Sequence, residues 1–75
     1  MNWNEDLDAT GLLCPLPVLK ARKRLQGLKS GDILRILADD PAAIIDIPHF
    51  CNEMGHVLID QDLQSEVQIY LIQKV

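Results

Sequence analysis

Residues 11–17 read Gly-Leu-Leu-Cys-Pro-Leu-Pro, and residues 18–25, which follow them, have the spacing of an amphipathic helix. Proline suits the first position of a helix, because its fixed φ fits there and its missing N–H would have had no partner inside the helix. The pattern predicts a first helix from Pro15 to about Gly27, with Cys14 at or next to its N-cap. We base the prediction of function on the thiol of Cys14, which lies at the start of this helix.

The position of Cys14 favours a reactive thiol. The unpaired amides of a first helical turn and the positive end of the helix dipole stabilise an anion, and the thiolate is the form of cysteine that attacks other sulfur atoms. A lone cysteine is more often a small buried apolar residue, but Gly11, Pro15 and Pro17 bracket this one and a cationic helix face follows it. We therefore expect an exposed Cys14 whose pKa is modestly lower than that of a free thiol.

The first helix has an apolar side and a cationic side. With residues placed at about 100° intervals, the apolar side comprises Val18, Ala21, Leu25 and Leu28. The cationic side comprises Lys20, Lys23 and Arg24, with Arg22 at the border. An ordinary solvated face explains each cation taken singly. As a group close to a reactive sulfur, the four cations are predicted to guide docking to an acidic protein surface.

Alternation and turn residues predict the other elements. Leu7 and Ala9 indicate a short edge strand, and residues 33–38, apolar on both faces, indicate a strand inside a sheet. A second helix is predicted from residues 39–41 to about Met54, with Gly55 ending it. Residues 57–59 and 67–75 are predicted to be a third and a fourth strand that form a hairpin.

The second helix carries the other cysteine. Its predicted apolar stripe comprises Ile44, Ile47, Pro48, Cys51 and Met54. Pro48 is expected to kink the helix or to split off its opening turn. Cys51, in the middle of the stripe, is predicted to be a buried and inert thiol, whereas Asp46 and His49 are predicted to be solvated surface residues.

The order β-α-β-α-β-β predicts an α/β (α+β) fold. Two helices are too few to cover both faces of a sheet, so we expect a two-layer sandwich: a four-stranded mixed sheet with both helices on one face. The first two strands should be parallel, in a right-handed βαβ unit. A chain of 75 residues is expected to be a single domain, residues 1–75.

Composition narrows the function. The net charge of −4 argues against a protein that holds nucleic acid by neutralising phosphates. The apolar runs are too short for a membrane span and no signal peptide is recognisable, so we expect a cytoplasmic protein. Two cysteines make no disulfide framework. Their spacing to the histidines is not that of a zinc site, and neither a metal nor a cofactor is expected.

The segment 11–17 resembles the Cys-Pro-x-Pro signature of the TusA-type sulfur-carrier family. Residues 7–11, 38–42, 46–51 and 54–56 resemble further family segments in the same order. The resemblance implies that Cys14 accepts a sulfane sulfur as a persulfide, with Gly11, Pro15 and Pro17 positioning it. Leu13 departs from the commonest family pattern, in which a charged residue precedes the cysteine.

The resemblance also implies partners. The donor would be a cysteine desulfurase or another persulfide donor, and a downstream protein would accept the sulfur. The route would lead to 2-thiouridine in tRNA, or to cytoplasmic sulfur trafficking or oxidation. The chain would be a sulfurtransferase-type carrier rather than an enzyme of small molecules, and it is expected to be a monomer without stable binding to nucleic acid or membranes.

Alternatives of other classes stay open at this point. An RNA-binding or regulatory interaction module would use the basic face of the first helix. A thiol oxidoreductase would use Cys14 and Cys51 as a pair. A selenium carrier would use the same thiol chemistry as a sulfur carrier.

Overall fold

The computed structural model describes residues 2–75; Met1, the first residue of the predicted domain, lies outside them. The elements, in chain order, are β1 (Glu5–Asp8), α1 (Leu16–Gln26), β2 (Ile33–Ala38), α2 (Ala43–Met54), β3 (Val57–Asp62) and β4 (Gln68–Gln73). This is the predicted order β-α-β-α-β-β. Within residues 2–75, neither helix has the length and apolar character that crossing a membrane requires.

The four strands form one mixed sheet in the order β1-β2-β4-β3. Strand β1 runs parallel to β2, with Leu7 opposite Ile36. Strand β4 runs antiparallel to β2, with Tyr70 opposite Ile36, and antiparallel to β3 in the predicted hairpin. The short strand β1 lies at an edge and the apolar strand β2 lies inside, as the sequence predicts.

Both helices cover the same face of the sheet. The side chains of Leu34, Ile36 and Ala38 on β2 all point to this face and are completely buried. They share one core cluster with residues of the helices and other strands, namely Leu7, Ala9, Ala21, Leu25, Ala43, Ile47, Phe50, Cys51, Tyr70 and Ile72. The predicted two-layer sandwich is therefore confirmed.

The buried stripe of α2 differs from the predicted one. The buried residues of this helix are Ala43, Ile47, Phe50 and Cys51. Ile44 is 40% exposed and Met54 is 47% exposed, because the helix turns Phe50 rather than these two side chains toward the sheet. The helix also runs without a break through Pro48, so the expectation of a separate opening turn is wrong.

The two strands of the final hairpin differ from the predicted ones in length, and β4 ends at Gln73 instead of continuing to residue 75. Strand β3 extends to Asp62 instead of ending at residue 59, because Asp60, Gln61 and Asp62 pair with the backbone of β4. Their polar side chains suggest a loop, but backbone pairing does not require apolar side chains on an exposed edge strand.

Candidate functional site

Cys14 lies just outside α1, in the loop that leads into the helix. Pro15 is the N-cap and Pro17 lies in the first turn, so the thiol stands next to the N-cap, as predicted. Cys14 is exposed, and Leu13 before it is 69% exposed. The thiol is thus open to a large partner, which is what the functional prediction requires.

Two neighbouring carboxylates hold this loop against the start of α2. The N–H of Gly11 donates to Asp39 Oδ1 over 2.9 Å, and the N–H of Cys14 donates to Asp40 Oδ2 over 2.7 Å. The other oxygen of Asp40 accepts the N–H of Ala42 over 3.2 Å. Residues 11–14 are thereby tied to a loop that lies more than 20 residues further along the chain.

The cysteine borders an apolar groove of about 330 Å³ between the two helices. The residues that line the groove are Cys14, Pro15, Val18, Leu19, Arg22, Asp46, His49, Phe50, Glu53 and Met54. His49 and Glu53 form a largely exposed pair at 3.4 Å, and His49 is exposed as predicted. The thiol therefore lines a groove that is open to a segment of another protein.

The pKa of Cys14 is raised, whereas the sequence predicts a lowered value. A hydrogen bond with the Asp46 carboxylate is the largest cause of the higher pKa, followed by partial removal from water and by the negative charges of Asp46 and Asp40. The start of α1 does little to lower this pKa. Pro15 has no N–H, and the N–H of Leu16 donates to the carbonyl of Leu13 over 2.8 Å. Carboxylates of α2 and its preceding loop therefore outweigh the helix dipole at this sulfur.

Asp46 has a different environment from the predicted one. The sequence suggests a freely solvated residue, but Asp46 is partly buried and lines the groove together with Cys14. The two residues are far apart in sequence, and only the packing of α1 against α2 brings them together. For the acid pair at positions 39 and 40 the sequence likewise predicts only a helix start, and it does not indicate the bonds from Gly11 and Cys14 to these carboxylates.

The structure divides the four predicted docking cations into two groups. Arg22 lines the groove that contains the cysteine. The other three, Lys20, Lys23 and Arg24, line a separate recess beside β1. Within that recess Arg24 donates to the carbonyl of Asp6 over 3.0 Å and pairs with Glu5 at 3.5 Å.

Cys51 is buried, as predicted. Its side chain is 2% exposed, and burial raises the pKa of its thiol to about 11. Both cysteines are free thiols. Within the described range 2–75, three or more potential metal ligands nowhere come together as a group.

Comparison with known proteins identifies the family of this chain. The sequence profile of the family "Sulfurtransferase TusA" matches residues 5–74. The chain belongs to the TusA family. Two Neisseria meningitidis proteins, one from a serogroup A strain and one from a serogroup B strain, are provisionally named sulfur carrier proteins. Each is 46% identical to this TusA-family chain over 70 residues, which cover 93% of the chain and 95% of the relative.

A solved structure has the same fold. The crystal structure of a SirA-like protein from Desulfitobacterium hafniense superposes with a TM-score of 0.82 at 25% sequence identity. The match covers 93% of this TusA-family chain and 96% of the SirA-like chain. The four-stranded mixed sheet with two helices is thus an architecture already observed by crystallography.

Proposed function

We propose that this chain is a sulfur carrier that binds a sulfane sulfur as a persulfide on Cys14 and relays it to an acceptor protein. The observation that carries the proposal is the exposed Cys14 in the lining of an interhelical groove, in a chain of the TusA sulfurtransferase family. Relatives named as sulfur carriers support the same role.

The transfer is a thiol exchange in which atoms and electrons balance. The Cys14 thiol loses its proton and its sulfur attacks the terminal sulfur of a donor cysteine persulfide. A new S–S bond forms on Cys14 while the donor S–S bond breaks, and the donor thiolate leaves and takes up a proton. The sulfane sulfur passes from the donor cysteine to Cys14 without net oxidation or reduction, so the step itself needs no redox cofactor.

The raised pKa of Cys14 suits a carrier more than a catalyst of rapid exchange. A thiolate derived from a weakly acidic thiol is a strong nucleophile but a scarce one at neutral pH. The free carrier would therefore react slowly with stray electrophiles. A docked donor that withdraws Asp46 from the sulfur, or supplies a cation, would increase the thiolate fraction at the right moment.

The groove is the proposed entry for the partner segment that carries the reacting sulfur. Val18, Leu19 and Phe50 supply apolar walls beside the thiol, and Arg22 supplies a cation for an acidic partner residue. Lys20, Lys23 and Arg24 lie in the other recess and would steer the encounter from a distance.

Donor, acceptor and compartment belong to the same proposal. A cysteine desulfurase or another persulfide donor would load Cys14, and a downstream acceptor protein would unload it toward 2-thiouridine in tRNA or cytoplasmic sulfur trafficking or oxidation. A monomer in the cytoplasm, without stable contact to nucleic acid or membranes, would meet these needs.

Mass spectrometry tests the carrier role. The intact protein is incubated with a cysteine desulfurase and cysteine, and its mass is compared before and after. We expect a gain of one sulfur atom in the native chain, none in Cys14→Ala, and an unchanged gain in the matched control Cys51→Ala, because Cys51 is buried. Sulfur gained by Cys14→Ala, or lost with Cys51→Ala, would contradict the role of Cys14 as the single carrier thiol.

A charge reversal tests the docking surface. Arg22→Glu is expected to slow sulfur uptake more than Lys23→Glu, since Arg22 lines the groove beside Cys14 and Lys23 lines the other recess. Both variants change the charge equally, so a general electrostatic effect would slow them to the same extent. Equal rates of sulfur uptake in the two variants would contradict the proposed contact between Arg22 and the donor.

A further inference from the structure

The loop that carries the cysteine is anchored by a buried polar chain that begins inside the sheet. The hydroxyl of Tyr70 donates to Gln68 Oε1 over 2.6 Å, and Gln68 Nε2 donates to the backbone carbonyl of Asp40 over 3.0 Å. Tyr70 is fully buried and Gln68 is 5% exposed. Burial raises the pKa of Tyr70 to about 12, so its hydroxyl keeps its proton and stays a donor.

This buried pair fixes the direction of the Gln68 amide. Its oxygen accepts from Tyr70, so its NH₂ group faces the carbonyl of Asp40. A polar side chain in an apolar interior is costly unless it is bonded. The bond to Asp40 is therefore a fixed point from which the carboxylate of that residue reaches outward to the cysteine loop.

The carboxylate of Asp40 is used on both oxygens. It accepts the N–H of Cys14 on Oδ2 and the N–H of Ala42 on Oδ1. An ionised carboxylate accepts on both sides, whereas an asparagine amide would accept on one side and present its own N–H groups on the other. Asp39, by contrast, accepts one N–H, that of Gly11, on one oxygen.

We propose that Asp40 is the positioning residue of the sulfur-carrying loop, holding the Cys14 backbone at the groove through its two-acceptor carboxylate while the buried Gln68–Tyr70 pair fixes Asp40 from behind. The inference rests on the proposed function, because the position of Cys14 matters for transfer only if its sulfur reacts. The negative charge opposes ionisation of the thiol, so it is tolerated here for the geometry that it imposes on the loop.

The comparison of Asp40→Asn with Asp39→Asn tests this role. Each variant removes one negative charge from adjacent positions, but only Asp40→Asn loses a required acceptor. We expect Asp40→Asn to slow persulfide uptake from a cysteine desulfurase about tenfold, the cost of a lost charge-assisted bond and a misplaced reacting group. Asp39→Asn should keep most of the native rate, because its amide oxygen still accepts from Gly11.

A second readout separates positioning from charge and from loss of structure. Removing the Asp40 charge increases the thiolate fraction of Cys14, so alkylation by iodoacetamide at neutral pH should be as fast as in the native chain or faster. The combination of faster alkylation and slower uptake from the protein donor is expected of a positioning residue alone. Native uptake by Asp40→Asn, or an equal loss in Asp39→Asn, would overturn the proposal.

Two further measurements keep the test decisive. If Asp40→Asn does not fold, hydrogen exchange of the Cys14 amide in the native chain decides: slow exchange supports the bond to Asp40, and exchange at the rate of an open amide overturns it. Tyr70→Phe removes only the buried hydroxyl and should slow uptake about two- to threefold. A native chain that gains no sulfur contradicts the proposed function, while amide exchange still tests the anchor.

Discussion

At the scale of single residues, two features of the site act on the Cys14 thiol in opposite directions. The helix entry offers a weakly positive environment, but the first turn has few free donors, because Pro15 and Pro17 have no N–H and Leu16 donates within the loop. The carboxylate of Asp46 acts at short range on the sulfur. A nearby full charge exceeds the fractional charge of a helix end, so the pKa of the thiol is raised rather than lowered.

The pH dependence of alkylation checks this balance. Carboxylates beside the sulfur oppose the negative charge of the thiolate, so the folded chain should require a higher pH than a free thiol before its reaction with iodoacetamide becomes fast. Asp46→Asn removes the largest cause of the raised pKa, and its rate profile should move to lower pH. The kinetics are followed by mass spectrometry across the alkaline range.

The control for that profile is Asp62→Asn. Asp62 bonds locally, to the N–H of Gln64, and lies at the end of β3, so its removal changes the net charge equally without touching the thiol. Its profile should coincide with the native one. A native profile centred below that of a free thiol, or equal shifts in the two variants, would contradict the assignment of Asp46.

At the scale of elements, sequence patterns predict helices and strands best where neighbouring residues alone determine where the element begins and ends. The structure has the predicted strand at Ile33–Ala38, the helix that follows Cys14 and the end of α2 at Gly55. Neighbouring residues encode all three features. The sequence pattern predicts the wrong buried face for α2, because the hydrophobicity of Ile44 and Met54 does not show which side of the helix meets the sheet. The packing of α2 against the sheet determines which side is buried, and Phe50 lies on that side.

The candidate site divides in the same way. The candidate thiol could be found from the sequence, because glycine and prolines mark the loop of Cys14. Its electrostatics could not, because Asp40 and Asp46 reach the cysteine only through the packing of α2 against α1. Strand order was equally inaccessible: β4 inserts between β2 and β3, which local patterns do not specify.

The end of α2 offers a test of an element boundary. Gly55 has φ +76° and forms a left-handed C-cap, a conformation that costs a residue with a Cβ about 1–2 kcal/mol. A Cβ at this position would meet nothing within 4 Å, so the cost comes from the backbone alone. Gly55→Ala should therefore reduce the free energy of unfolding by about 1 kcal/mol in urea titrations.

Gly27→Ala is the matched control at the end of α1. Gly27 has φ −88°, and an added Cβ would make only an ordinary contact, 3.6 Å from the carbonyl oxygen of Arg24. This substitution should be neutral or stabilise the protein by about 0.4–1 kcal/mol, because alanine restricts the unfolded chain. A loss of stability as large as that of Gly55→Ala would refute the backbone explanation.

At the scale of the whole molecule, stability comes from one small core beneath two helices. A domain of this size buries only about 60% of the surface of its unfolded chain, and by the usual per-residue scale its free energy of unfolding is roughly 4–11 kcal/mol. The domain can therefore lose few buried side chains and still remain folded. The exposed loop of Cys14 therefore depends on a sheet whose central strands must remain fully packed.

Ile36 is the residue at which this dependence should be greatest. It is completely buried, lies in the interior strand β2, and stands between Leu7 and Tyr70 of the neighbouring strands. Ile36→Ala removes buried methyl groups and leaves a cavity, which costs about 2–5 kcal/mol. Against a total of this size, urea unfolding should show a midpoint far below that of the native chain, together with weaker protection of the β1 and β4 amides.

The matched substitution Ile45→Ala makes the same chemical change at a surface position. Ile45 is 74% exposed, so its truncation should change the free energy of unfolding by no more than about 0.5 kcal/mol. Because Tyr70 packs in the same cluster as Ile36, Ile36→Ala should also loosen the buried anchor of the cysteine loop and speed exchange of the Cys14 amide. Equal free energies of unfolding for Ile36→Ala and Ile45→Ala would contradict the dependence of the site on the packed core of the sheet.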